Sequence, residues 1–192
     1  MYQEILRDRR FFEFLFACDE ELAKTVREGG CPCGRGRLHQ ANYERKPRGG
    51  PEGLGREGTL RHSLCCDREG CRARSTPPSL RFLGRRVYFG AVVLLVSAME
   101  RGPSRSVVRA IGDLVGVSRR TLRRWRRWWQ ELFPRSGFWT KARGLFSRPV
   151  SSLELPFALL ELFPGDLRSR VESLLRFLSP LSIGSFFGDR VR

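Results

Sequence analysis

Five of the six cysteines, Cys31, Cys33, Cys65, Cys66 and Cys71, fall within 41 residues, and Cys18 stands apart. Thiolates in close pairs bind soft divalent ions, and glycine beside a pair lets the backbone turn tightly around the sulfurs. The run Gly30-Cys31-Pro32-Cys33-Gly34 has this form, with a gap one residue shorter than the commoner spacing. Cys66-Asp67-Arg68-Glu69-Gly70-Cys71 supplies a second pair. The expected ligands of one structural Zn2+ are Cys31, Cys33, Cys66 and Cys71, with Cys65 as a substitute for Cys66. His39 or His62 is an alternative to one thiolate. Four thiolates leave a doubly negative site that Arg35, Arg37, Arg68, Arg72 and Arg74 are placed to offset. They also leave no open position for water or substrate, so the site is expected to stabilise folding rather than to catalyse. Cys18, beside Phe14 and Phe16, is expected to be a small buried thiol of the core.

The second chemistry-bearing segment runs from Ser104 to Phe133. Ser104 can cap a helix whose stripe is Val107, Val108, Ile111, Leu114 and Val115, ending at Gly116, and Ser118 starts another. Leu122, Trp125, Trp129 and Leu132 recur at three or four residues and are expected to pack on Ile111 and Val115, with Val117 filling the corner. This is the layout of a helix-turn-helix. The remaining face carries Arg119, Arg120, Arg123, Arg124, Arg126 and Arg127, six arginines within nine residues. A guanidinium fork bonds guanine bidentately, so Arg119, Arg120, Thr121, Arg123 and Arg124 are the candidates for base edges in a major groove. Arg126 and Arg127, with Arg105 and Arg109 on the preceding helix, are the candidates for phosphates. Trp128 is read as core.

These segments need elements to hold them. Residues 3–28 repeat apolar positions at helical spacing (Ile5, Leu6, Phe12, Leu15, Phe16, Leu22, Val26) and predict one or two helices stopped by Gly29-Gly30. Residues 29–58 contain nine glycines and read as loop anchored by the cysteines on either side. Arg72 to Arg86, with five arginines and Pro77-Pro78, reads as a linker that is solvated, tracks a phosphate backbone or enters a minor groove. A buried helix follows over 87–99, the helix from Ser118 runs to about Phe133, residues 135–151 look irregular, and two short amphipathic helices are predicted at 153–163 and 166–178. The expected fold is mainly α, a helical bundle with a helix-turn-helix plus a small zinc-ribbon-like β/loop module. The divisions are a helical lead-in over 1–28, the ribbon-like module with its glycine-rich insertion over 29–80, the helix-turn-helix domain over 81–134, and short helices with a tail over 135–192.

The chain of 192 residues has 36 Lys and Arg against 20 Asp and Glu, a net charge of +16. Thirty-three of the basic residues are Arg, which high-GC coding could produce, but the excess is uneven. Residues 1–30 carry a net −2, 31–100 a net +7, 101–130 a net +8, and 149–192 balance. A local excess of this kind suits a polyanion. The longest apolar run, Ala91 to Met99, is about half a bilayer span. The first apolar cluster is broken by Glu13, so no secretory signal is read, and a cytoplasmic, nucleoid-associated protein is expected.

With Cys31-Pro32-Cys33-Gly34, Gly70-Cys71-Arg72 and Gly116-Val117-Ser118-Arg119-Arg120-Thr121-Leu122 in view, residues 29–133 resemble the zinc-ribbon plus helix-turn-helix proteins associated with bacterial insertion sequences. The likeness is to the DNA-binding front end of a transposase or to an accessory protein. It implies that the ribbon stabilises or extends a DNA-binding surface and that the recognition helix over 118–133 reads an element's end. It does not extend to catalysis. The later acids Glu154, Glu161, Asp166, Glu172 and Asp189 sit in short helical patterns and read as solvated faces and caps.

The leading expectation is therefore a sequence-specific double-stranded DNA-binding protein, transposition-associated or a transcriptional regulator. It is not an enzyme, has no membrane partner, and is open to homodimerisation and to work beside a separate transposase or recombinase. One alternative is an interaction protein whose apolar C-terminal residues (Leu159, Leu160, Leu162, Phe163, Leu174, Leu175, Phe177, Leu178) recruit a catalytic subunit. Others are an RNA-binding protein and a zinc-dependent or DNA-cleaving enzyme.

Overall fold

The computed structural model describes residues 2–84, 86–99 and 115–183. The helix expected from Ser104, with Arg105 and Arg109, lies outside them apart from its last residue, Val115, and so does Asp189. The described chain is mainly helical, with two small antiparallel sheets near the cysteines.

The N-terminal segment forms α1 (Tyr2–Arg7) and α2 (Arg9–Glu28). Asp8 separates them and caps α2, its carboxylate accepting from the Arg10 amide at 2.9 Å. Phe11, Phe12, Leu15, Cys18 and Asp19 are buried on one side of α2, the spacing of a single helical face. Cys18 is a core thiol, as expected, and receives a hydrogen bond from Arg176 at 3.1 Å.

The glycine-rich segment is more ordered than its composition suggests. It contributes β1 (Leu38–Gln40), β2 (Tyr43–Glu44) and the single turn α3 (Arg56–Thr59), followed by β3 (Leu60–Arg61), β4 (Leu64–Cys66) and β5 (Arg74–Ser75). One sheet has the order β1-β4-β5, with Leu38 opposite Cys66 and Cys65 opposite Arg74. β2 pairs with β3, Tyr43 opposite Arg61. The insertion is tied down by backbone contacts that side-chain types do not announce. Arg48 bridges Tyr88, and the Arg45 guanidinium donates to the carbonyls of Gly84 and Arg86 at 3.2 and 2.9 Å.

The Arg72–Arg86 segment is not a solvated linker. Pro77, Leu80, Arg81, Phe82 and Leu83 are buried, and Arg81 is fully enclosed. The buried helix that follows, α4 (Gly90–Met99), begins later than residue 87 because Tyr88 and Phe89 are held extended by bridges to Arg48 and Phe82. All ten residues of α4 are buried. It is the central rod against which α1 packs, together with α5 (Arg119–Arg127), α7 (Phe157–Leu160) and α8 (Leu167–Leu178).

Three corrections concern the later helices. The α5 helix passes at Trp128 into a π-helical turn, Trp128–Leu132, closed by the Phe133 amide on the Trp128 carbonyl at 2.8 Å. The wider turn moves Leu132, expected in the core, to 52% exposure and brings in Phe133 at 0%. Residues 135–151 are not wholly irregular, because Ser136 caps α6 (Gly137–Ala142) through the Trp139 amide. The helix expected over 153–163 is reduced to a 3-10 turn, Ser152–Glu154, and the short α7, since Pro156 lacks an amide hydrogen and forces Leu155 extended. α8 forms as expected, capped by Asp166 on the Ser169 amide at 2.8 Å. Among the described residues no helix is long and apolar enough to cross a membrane.

At the centre lies a buried ion pair. Asp19 accepts from Arg81 Nε at 2.8 Å, from the Leu80 amide at 2.7 Å and from the Ser79 hydroxyl, and both charged side chains are 0% exposed. Arg81 also donates to the carbonyls of Gly58 and Leu60. Removing one partner of such a pair strands the other charge in a medium that cannot solvate it. Asp19→Ala is therefore expected to destabilise the fold by about 3–5 kcal/mol, read as a drop in the denaturation midpoint with the slope unchanged.

Candidate metal centre and candidate nucleic-acid interface

The four sulfurs are gathered by two turns that meet across the β1–β4 ladder. In the first, Gly34 donates to the Cys31 carbonyl at 2.8 Å and Cys31 to the Gly36 carbonyl at 3.3 Å. In the second, Cys71 donates to the Arg68 carbonyl at 3.1 Å. The Leu38–Cys66 register brings them face to face, and the Asp67 amide donates to the Arg37 carbonyl at 3.0 Å. Asp67 returns the contact, its carboxylate accepting from the Arg37 amide at 2.9 Å.

Cys31, Cys33, Cys66 and Cys71 have all four sulfurs within 4.8 Å of one another. Sulfurs each about 2.3 Å from a tetrahedral ion stand about 3.8 Å apart. The Cys31–Cys71 and Cys33–Cys66 separations are 3.8 and 3.9 Å, so this donor set fits a tetrahedral metal ion and is too wide for disulfides. The amide of Arg35 and the neighbouring thiol of Cys31 bring the Cys33 thiol down to about 6, which favours the ligating thiolate form. Burial pushes the enclosed Cys66 up to about 12, as befits a sulfur that needs a cation beside it to ionise.

The remaining candidates fall outside the cluster. Cys65 points away and bonds the Cys66 and Arg72 carbonyls, each at 3.7 Å. His39 pairs with Asp67 at 3.2 Å. His62 is buried against Phe16, ring centroids 5.5 Å apart, and its Nε2 has no hydrogen-bond partner among the described residues. Neither histidine replaces a thiolate. Gly36 is a site residue that the cysteine spacing does not reveal. A Cβ there would collide with Cys66 Sγ, so any larger residue must push the two turns apart.

The basic helix is built differently. Ser118 caps α5, its hydroxyl accepting from the Thr121 amide at 3.3 Å and lying 3.1 Å from the Thr121 hydroxyl. Leu122 and Trp125 face inward, while Arg119, Arg120, Arg123, Arg124, Arg126 and Arg127 are all exposed. Thr121 is half-buried, with its hydroxyl engaged in the cap. Arg127 reaches Glu131 at 3.0 Å and Arg126 the Gln130 side chain at 3.4 Å. Among the described residues Arg119, Arg120, Arg123 and Arg124 have no hydrogen-bond or ion-pair partner for their guanidinium groups.

The turn before α5 is held from outside. Val115 and Val117 are buried, and Gly116 between them has φ +63. Among the described residues nothing lies within 4 Å of a Cβ placed at Gly116, and its left-handed backbone is what selects glycine. Tyr88 donates its hydroxyl to the Gly116 carbonyl at 3.1 Å and sets its ring edge-on to Trp125, centroids 5.1 Å apart. Two residues earlier, Arg86 lies 4.1 Å over the Trp128 ring. No periodicity signalled either contact, because both come from an extended segment of no particular pattern.

Three of the later acids are accounted for by local pairing. Glu161 bonds Arg170 at 2.9 Å, Glu172 bonds Arg176 at 3.0 Å, and Asp166 caps α8. The apolar C-terminal side chains lie in the protein's own core. Leu159, Leu160, Leu174, Leu175 and Leu178 are buried, and Leu162, Phe163 and Phe177 pack against them.

The geometry generates two expectations. The full chain should bind one equivalent of divalent metal by elemental analysis. Cys66→Ser and Gly36→Val should lose it, and Cys65→Ser should keep it. Burial first, then the Arg81 and Arg61 charges, hold His62 below its usual 6.5. The unfolded chain takes up this proton below 6.5 and the folded one resists, so stability is complete above 6.5 and is lost as pH falls from there. His62→Gln should flatten the stability profile over the first pH unit below that value in denaturant titrations.

No protein-family model matches the chain, and no curated protein or solved structure matches it either.

Proposed function

We propose that this protein binds double-stranded DNA sequence-specifically, with α5 as the helix that enters the major groove. The observation that carries the reading is the state of four side chains. Arg119, Arg120, Arg123 and Arg124 are exposed and, among the described residues, without acid partners, on a helix whose other side is anchored by Leu122 and Trp125. An arginine fork left free of local carboxylates is available for guanine O6 and N7 or for phosphate. Arg119, Arg120, Arg123 and Arg124 are assigned to base edges. Thr121, whose hydroxyl serves the cap, is assigned a secondary contact there. Arg126 and Arg127 are assigned to phosphates, as are Arg105 and Arg109.

The metal in this reading is Zn2+, which a four-thiolate tetrahedral set favours. Bound by Cys31, Cys33, Cys66 and Cys71, it would cross-link the two turns and leave no position for substrate. A binding protein that regulates transcription or assists an insertion element fits these features better than an enzyme does. The scaffold alternative is weakened because the C-terminal apolar residues it needs are occupied in the core. The deep, narrow major groove of A-form RNA does not admit an α-helix, which favours duplex DNA.

The test is a mobility-shift titration on duplexes selected from a random pool. Replacing Arg119, Arg120, Arg123 and Arg124 by alanine should abolish selective binding without lowering the melting temperature. If about six phosphates are contacted, log affinity should fall against log salt with a slope of about −5. Equal affinity of this variant and the wild type would overturn the reading.

A further inference from the structure

The extended segment before α4 lies along α5 with alternating contacts. Tyr88 meets Trp125 and Arg86 meets Trp128, while Val87 between them points outward at 53% exposure. Residues two apart on an extended chain thus match residues three apart on the helix. Arg86 is drawn onto the edge of the basic face from a different part of the chain. Arg124 precedes Trp128 by four residues, one helical turn, and so shares its side of the helix.

Half-buried Arg86 differs from the enclosed arginines Arg61 and Arg81. Arg81 has Asp19, and Arg61 donates to the Pro77 carbonyl and the Ser182 hydroxyl. Among the described residues no carboxylate or carbonyl receives the Arg86 guanidinium. Burial lowers its affinity for the proton to a pKa of about 10, and the nearby positive charge of Arg124 works in the same direction. It nevertheless stays charged at neutral pH. Its position is also fixed from behind, since Arg45 binds the carbonyls on either side of residue 85, those of Gly84 and Arg86. Among the described residues, this partly buried cation, oriented on an indole and repelled by a second cation, has no anion.

We propose that Arg86, its fork oriented by the Trp128 platform, clamps one backbone phosphodiester of a nucleic-acid strand beside the base edges assigned to Arg124. The clamp rests on the DNA-binding reading and adds to it a contact from outside the helix-turn-helix. A guanidinium held on an aromatic face loses little freedom when it binds phosphate, which is the advantage of preorganisation. Because the phosphate carries no base identity, the clamp sets the register of α5 without adding to sequence choice.

The experiment compares the metal-loaded full chain with Arg86→Met and Arg86→Lys. Methionine keeps a long apolar side chain on Trp128 and removes the charge; lysine keeps the charge and removes the planar fork. Expected for Arg86→Met are an unchanged or higher melting temperature and roughly ten-fold weaker binding, equal on selected and unrelated duplexes. Its salt slope should be shallower by about one unit. Arg86→Lys should keep the slope but recover only part of the affinity. Inorganic phosphate at matched ionic strength should not displace the duplex. Arg86→Met binding with unchanged affinity and slope would overturn the clamp and leave the α5 reading intact. A melting temperature lowered by several degrees would make Arg86 a structural brace and overturn it too. Displacement by free phosphate would overturn the assignment to a strand. A wild-type protein that binds no duplex would remove the α5 reading itself, and the clamp with it.

Discussion

The Asp19–Arg81 ion pair is the constraint on which the arrangement depends. A carboxylate and a guanidinium in a dry interior tolerate little displacement, because every ångström of separation is felt at low dielectric. Asp19 belongs to α2, Arg81 to the segment leading into the central helix, and Arg81 continues to the carbonyls of Gly58 and Leu60 at the end of the insertion. Ser79 is drawn into the same network and accepts from the amides of Arg81 and Phe82, each at 3.2 Å. One pair of charges therefore locates the lead-in helix, the sheet-bearing module and the start of α4 with respect to each other.

That coupling explains how a glycine-rich insertion can be ordered without much apolar surface of its own. Its glycines let the backbone lie close to neighbours, and it is held by Arg45, which donates to the carbonyls of Gly84 and Arg86, and by Arg81, which donates to those of Gly58 and Leu60. Arg45, Arg61 and Arg81 also stand within 5.8 Å of the Phe82 ring. Several residues that composition would assign to a polyanion surface are thus internal fasteners. The four-cysteine cluster sits at the other end of the module, where the small core of Leu38, Leu64, Cys31 and Cys66 has few apolar partners. A bound ion would contribute most there, because little else holds the two turns together.

What could be read in advance follows from how chemistry is encoded along a chain. The cysteine pairs were legible because ligands must come from particular residue types with turn-compatible spacing. The inward side of α5 was legible because Leu122 and Trp125 repeat at helical spacing beside a serine cap. Asp19 was not, since one acid among Glu20 and Glu21 on an amphipathic helix looks like part of a solvated face until the partner 62 positions away is placed. The strands were too short for alternation to register, and the insertion's anchors are backbone carbonyls, which every residue possesses. The 153–163 segment carried a helical apolar pattern, but Pro156 decided the outcome locally. His62 offered an imidazole near thiols, and burial against Phe16 assigned it to packing.

The π-helical turn after Arg127 separates two tasks within one rod. A five-residue turn introduces a phase slip, so the aromatic half of the helix is rotated away from the spacing that the basic half sets. Trp128, Trp129 and Phe133 lock the aromatic half to Trp139 and its neighbours. The arginine half can then exchange its outward residues without disturbing that foundation. Recognition and support become separately evolvable, and new target preferences can be explored on an unchanged chassis.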